Sequence, residues 1–150
     1  MKTLSLRRIL ASAGLVGGIF VLDQWTKTIF SSWTPNPIIP NILSFTTHEN
    51  RGLLANFPVP IFLIIAVTSI ASIILGYLLI KETTNSERFL KLIALSLLLG
   101  GALGNLIDRI RFGYVFDWIL LFNRSIINIA DIAVTLGIIL WLAGERTTKK

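Results

Sequence analysis

Residues 57–80 read FPVPIFLIIAVTSIASIILGYLLI, 24 consecutive positions without a charged side chain. At about 1.5 Å of rise per residue, a helix over this run is long enough to cross a hydrocarbon core of about 30 Å, so the run decides the class of fold. Three further apolar runs surround it. One follows Lys2, Arg7 and Arg8 and extends over 9–30, interrupted by Asp23, Gln24 and Lys27. Ala11-Ser12-Ala13 stands at the start of that run and no cleavage-site pattern ends it, so a retained span is expected rather than a removed leader. Another covers 89–107, with Lys91 near its start, and the last covers 126–144, with Asp131 near its start and Glu145 and Arg146 just after it. Four transmembrane helices in one integral membrane domain, residues 1–150, are the expectation, and no internal repeat is visible.

Composition agrees: 53% apolar residues, 15% charged residues and a mean hydropathy of +0.74 are wrong for a water-soluble domain. The chain has no cysteine, which excludes disulfides, thiol nucleophiles and cysteine metal sites. Its single histidine, His48, lies between Thr47 and Glu49 and is expected to be an exposed loop residue, so no metal and no cofactor are expected. Ser31, Ser32 and Ser125 have no paired histidine or nearby lysine base. The net charge of +6 comes from basic clusters beside the apolar runs, which suits membrane topology and membrane lipids as neighbours and gives no footprint for nucleic acid.

Nine basic residues fall at the N-terminus, in the 81–91 loop and at the C-terminus, against five on the other side. Both termini are therefore expected in the cytoplasm. Asp23, Glu49, Asp108, Asp117 and Asp131 then gather on the outer side, and Trp25, Trp33 and Trp118 are expected in the outer interfacial belt, with Trp141 in the inner one. Counted from the basic residue at the inner end of each span, Asp23 is 15 residues from Arg8, Asp131 is 15 from Arg146 and Asn105 is 14 from Lys91. All three lie roughly 21–23 Å up, below the outer edge of the core, so they should face one another rather than lipid.

Asp117 sits in the β-prone, apolar stretch from Tyr114 to Ile119 with no basic residue within three positions. Asp131 follows Asn128-Ile129-Ala130, where Asn128 can cap the fourth helix and a carboxylate at the third position is favoured by the helix dipole. Capping is one reading of Asp131 and catalysis another. Two inward carboxylates at similar depth cannot both ionise easily, so one proton is shared; the ionised member can activate water while the protonated one polarises a carbonyl. Small residues at Gly100, Gly101 and Gly104 are spaced for close helix contact. Beyond them Asn105 and Arg109, four apart on one face, can donate to a carboxylate or a peptide carbonyl, and Asp108 reads as an adjacent ion-pair partner of Arg109 that orders the helix end. Lys27 reads as an i, i+4 partner of Asp23 or a snorkelling lysine, and Gly17-Gly18 as a packing notch.

Four blocks in order carry a family resemblance: Asp23-Gln24-Trp25-Thr26-Lys27, Asn50-Arg51-Gly52, Gly104-Asn105-Leu106-Ile107-Asp108-Arg109 leading to Val115-Phe116-Asp117, and Asn128-Ile129-Ala130-Asp131. On these the chain resembles the lipoprotein signal peptidases (signal peptidase II), bacterial membrane aspartyl endopeptidases. The resemblance implies cleavage of a diacylglyceryl-modified prolipoprotein on the N-terminal side of the modified cysteine, by a monomer in the cytoplasmic (inner) membrane with its site near the extracytoplasmic face. It implies Asp117 and Asp131 as the catalytic dyad. Asn50, Gly52, Asn105, Arg109 and Asn128 become substrate-binding or dyad-supporting residues, and Asp23, Asp108 and Ala130 motif or structural ones. It also implies a small extracytoplasmic β-cradle after the first span, whose counterpart is Pro35, Pro37 and Pro40 followed by Ile42 to Thr47. The chain departs from the family pattern at Leu53-Leu54-Ala55-Asn56-Phe57 and at Trp118, and only 13 residues separate Asp117 from Asp131, so Asp108 is kept as a reserve partner for Asp131.

Two other functions fit carboxylates inside spans: a small ion-coupled carrier, or a noncatalytic scaffold that binds lipidated proteins. A carrier site belongs near the midplane between repeats, whereas these acids gather toward one side. A scaffold would tolerate Asp117→Asn.

Overall fold

In the computed structural model, which describes residues 6–34, 36–52, 59–84 and 89–147, the chain is mostly helical with one small sheet. Its elements are α1 (Leu6–Phe30), β1 (Asn36–Ile39), β2 (Leu43–Asn50), α2 (Ile61–Glu82), α3 (Phe89–Phe112), β3 (Val115–Leu121), β4 (Ser125–Ile127) and α4 (Ile129–Thr147). Three helices, α1, α2 and α3, are long and apolar enough to cross a membrane, and the apolar part of α4, Ile129–Gly144, is shorter. With α4 this makes a multi-pass membrane protein. Residues 53–58, which hold the Leu53 to Phe57 departure and the start of the expected second span, and Pro35 lie outside the described residues.

α3 is the most enclosed helix and packs against α1, α2 and α4. Its glycines explain how. A Cβ built on Gly101 would stand 2.5 Å from the Ala130 carbonyl oxygen, and one on Gly104 would stand 2.6 Å from Asp23 Oδ2. The backbones of α1, α3 and α4 thus meet along a stripe where no side chain fits, the close approach that small residues permit in membranes. Gly17 and Gly18 behave differently: a Cβ there meets nothing within 4 Å, so the expected packing notch has no partner among the described residues. The face of α1 that packs on α3 carries Val16, Ile19 and Asp23 instead.

α3 ends at Gly113, whose φ of +77° favours glycine and whose N–H closes on the Arg109 carbonyl. The chain then enters β3. The sheet is antiparallel in the order β1-β2-β3-β4, so two segments more than 60 residues apart build it together. β3 turns into β4 through Phe122 and Asn123, both at φ +52°, and the turn is tied to the β1–β2 turn by an Asn123 Nδ2 donation to Asn41 Oδ1 at 3.2 Å. Residues 126–127, expected in the fourth span, belong to β4: Ile126 and Ile127 pair with Leu120 and Ile119, and the helix starts only after Asn128. The β-branched side chains follow the sheet because Asn128 caps the helix that comes next.

Trp118 is 6% exposed and does not sit in an interfacial belt. Its ring stacks on Phe30 at 3.9 Å between centroids, with Phe45 edge-on at 5.4 Å. This aromatic seam fixes the end of α1 to the sheet. Trp25 and Trp33 remain exposed, as a belt requires.

Candidate active site

The sheet lies where α1 and α3 end and α4 begins, and polar side chains from all four sequence blocks meet there. Asp117 lies on β3, in register with His48 of β2, and is 1% exposed. His48 is therefore a half-buried strand residue, correcting the loop expectation. Asn50, two positions along β2 on the same face, donates Nδ2 to Asp117 Oδ2 at 3.1 Å, and Asn128 donates Nδ2 to Asp117 Oδ1 at 2.6 Å. Both carboxylate oxygens thus carry an amide donor.

Asp131 is third in α4, as expected. Its N–H donates to Asn128 Oδ1 at 2.9 Å, and the Asn128 N–H donates back to Asp131 Oδ2 at 3.3 Å, a reciprocal helix cap. The other oxygen, Oδ1, accepts Asn105 Nδ2 from α3 at 2.8 Å. The capping reading of Asp131 is correct without excluding the catalytic one, because capping uses one oxygen. Burial and the neighbouring Asp131 charge push the Asp117 carboxyl up to about 7, despite the amide donors from Asn50 and Asn128. Near neutral pH this pair can hold one proton.

Arg109 bridges the site to the β2 exit: Nη1 donates to the Asn105 carbonyl and Nη2 to the Gly52 carbonyl, each at 3.3 Å. Its buried Nε has no partner among the described residues, so a donor remains beside the two carboxylates. Gly52 itself donates its N–H to Asn50 Oδ1 at 3.3 Å, fixing the amide that serves Asp117.

Below the pair is a second layer. Asp23, 0% exposed, accepts the Ala130 N–H at 2.9 Å and so satisfies another free donor at the start of α4. Lys27 lies 2.7 Å from both Asp23 Oδ2 and Asp108 Oδ2, and Gln24 donates Nε2 to Asp108 Oδ1 at 2.9 Å. Asp108 consequently pairs with Lys27 and not with its neighbour Arg109. Consecutive helical residues point about 100° apart and do not face each other. Asp108 is committed to this layer and does not contact Asp131. The i, i+4 pairing of Lys27 with Asp23 holds, but the lysine is buried and does not snorkel. Gln24 and the depth of Lys27 were the functional features missed from the residues alone, although the Asp23-to-Lys27 spacing was their signal.

Asn128 joins all the parts, so its loss should be felt in stability as well as chemistry. Asn128→Ala removes the cap and leaves the buried Asp117 carboxylate, the half-buried Asp131 carboxylate and Asn105 short of a partner. A loss of about 2 kcal/mol or more is expected, lowering Tm by roughly 5 °C, measured by thermal unfolding in detergent.

A helical membrane fold with paired aspartates held by amides at one end of its bundle defines a class, the polytopic membrane protein with a two-carboxylate site. Residues 15–145 match the model of the family described as signal peptidase (SPase) II. The chain belongs to the signal peptidase II family. It is 37% identical over 144 residues to the lipoprotein signal peptidase of Halalkalibacterium halodurans, covering 88% of this chain and 90% of the relative. It is 36% identical over 135 residues to that of Caldanaerobacter subterraneus subsp. tengcongensis, covering 84% and 89%. Among solved structures it is similar to a bacterial membrane enzyme determined by the in meso method at 2.3 Å, with a TM-score of 0.84 and 28% identity over all of this chain and 94% of that one. A second such structure, at 1.9 Å, gives 0.79 and 30% over 95% and 96%.

Proposed function

We propose that the chain is an aspartyl endopeptidase that removes signal peptides from bacterial prolipoproteins, cutting on the N-terminal side of the diacylglyceryl-modified cysteine, with Asp117 and Asp131 as its dyad. Membership of a peptidase family supports hydrolysis. The observation that carries the dyad is geometric: two carboxylates from separate elements, β3 and α4, are each held by asparagine amides, and burial beside Asp131 leaves Asp117 able to keep a proton near neutral pH.

In this reading Asp131 takes a proton from water as the water oxygen attacks the scissile carbonyl, and Asp117 gives its proton to the carbonyl oxygen. The tetrahedral species collapses when Asp131 passes its proton to the amide nitrogen and the C–N bond breaks. Asp117 recovers a proton from the diol, so one water is consumed and the dyad is restored. Asn50, Asn105 and Asn128 hold the carboxylates, Arg109 donates to a substrate carbonyl, and Gly52 and Ala130 supply backbone to the site. The basic-residue asymmetry supports cytoplasmic termini in the inner membrane and a site facing outward, with the four-stranded sheet as a cradle on the membrane surface. The active unit is a monomer in one membrane domain.

The test is cleavage of a diacylglyceryl-modified prolipoprotein by the purified protein in bilayers. Wild type should release the signal peptide with or without a metal chelator, and Asp131→Asn should release none. Absence of product from folded wild type would favour a scaffold, and loss of product on chelation would remove the two-aspartate mechanism.

A further inference from the structure

Lys27 touches neither aspartate of the proposed dyad, yet its ammonium does more than neutralise its ion-pair partners. Besides Asp23 and Asp108 it donates to Asn105 Oδ1 at 3.2 Å. That same oxygen accepts Asn128 Nδ2 at 3.1 Å, while Asn105 Nδ2 donates to Asp131 Oδ1 at 2.8 Å. We infer that Lys27 is a positioning residue for the dyad, fixing the direction of the Asn105 amide and thereby the donor that Asp131 receives.

The chemistry of an amide makes the argument. Asn105 has an acceptor end and a donor end of almost the same shape, so sterics alone do not choose between them. Turned over, it would set an NH2 group against the ammonium and an oxygen against the Asp131 carboxylate, two repulsive contacts in place of two attractive ones. Asn128 supports the same direction with the second proton of its Nδ2, whose first serves Asp117 at 2.6 Å, but it is a neutral donor and weaker than an ammonium. Lys27 is the charged determinant, and it is itself immobile: 5% exposed, held by Asp23 on its own helix and by Asp108 on α3, whose second oxygen is taken by Gln24. A charge-assisted donation into one end of an amide also polarises the other end, strengthening the bond to Asp131. An ion pair serving only to join α1 to α3 has no need of Asn105.

This inference rests on the dyad reading of Asp117 and Asp131. The charged and titratable groups bearing on the pair are Arg109 and Asp108 of α3, Lys27 and Asp23 of α1, and His48 of β2, in register with Asp117. Lys27→Met alone would leave two buried carboxylates facing each other, so the decisive variant is Lys27→Met with Asp108→Asn. It removes one cation and one anion, keeps the formal charge of the cluster and retains an acceptor for Gln24. Cleavage of a diacylglyceryl-modified prolipoprotein is measured in bilayers over a series of substrate concentrations with wild type and the double variant, alongside thermal unfolding. The expected result is a folded double variant with KM within about twofold of wild type and kcat lower by about tenfold or more. The split between kcat and KM arises because a misdirected Asn105 amide disturbs the reacting carboxylate while leaving the substrate's binding contacts in place. A folded double variant with unchanged kcat, or with kcat and KM altered together, overturns the inference while wild-type cleavage leaves the dyad reading intact. A wild type that does not cleave overturns the dyad reading itself.

Discussion

Asp117→Asn should lower kcat for prolipoprotein cleavage by about 10³-fold or more while the protein stays folded. The fold survives because Asn is the same shape and keeps an oxygen for the Asn128 or Asn50 amide. The chemistry does not, because no proton can then be given to the carbonyl oxygen and taken back. The same carboxyl makes a pH statement in wild type. Burial and the Asp131 charge raise Asp117 from an ordinary 3.8 to about 7, so the folded state binds this proton more tightly than the unfolded chain. The stability linked to that proton is fully present below about pH 4 and is lost as pH rises through about 7. Wild type should lose Tm between about pH 5 and pH 8 more steeply than Asp117→Asn, and its kcat should fall above about pH 7 as the proton leaves. Retained cleavage by the variant would remove Asp117 from the dyad. Asp108 is then a poor substitute, since both its oxygens are engaged by Lys27 and Gln24.

The long apolar helices and the common level of three polar groups on them were legible from residues because they depend on local quantities: run length, the rise of a helix and the count from flanking basic residues. Asp23, Asn105 and Asp131 were expected at one height, and the structure joins them through Ala130 and the Asn105 amide. Asn128 as a cap was legible for the same reason, since capping acts over three residues. Pairing across long separations was not. β2 and β3 meet with more than 60 residues between them, so nothing near His48 announces that it stands opposite Asp117, and nothing near residue 126 says that the chain is still in a sheet. Strand propensity reflects neighbours that the local sequence does not contain.

The charged side chains taught the same lesson. Asp108 was read with Arg109 because they are adjacent, but its partner, Lys27, is 81 positions away and reaches it only because α1 and α3 pack closely. Trp118 looked interfacial by residue type and depth, yet Phe30 and Phe45 enclose it. In each case the local reading was chemically reasonable and a tertiary contact displaced it.

That close packing has its own test in the glycines. Gly101→Ala is expected to cost about 2–3 kcal/mol, whereas Gly17→Ala should change stability by about 0.5 kcal/mol or less. Both lie in long apolar helices, and helix propensity alone would make both replacements favourable. The difference lies in what each new methyl meets. At Gly101 it stands 2.5 Å from the Ala130 carbonyl oxygen and 2.9 Å from Val134 Cγ2, and the first of these is backbone that cannot rotate aside. α4 must move away from α3. That movement carries Ala130 and Asp131 with it, pulling the Ala130 N–H from Asp23 and the Asp131 carboxylate from Asn105. The loss of stability should therefore come with a loss of kcat of about tenfold or more, since a misplacement of this size at reacting groups is costly. At Gly17 the methyl meets open space, and kcat should not change. Thermal unfolding and cleavage of both variants in bilayers would decide it: equal behaviour of the two would mean that the α3–α4 contact does not set the height of Asp131.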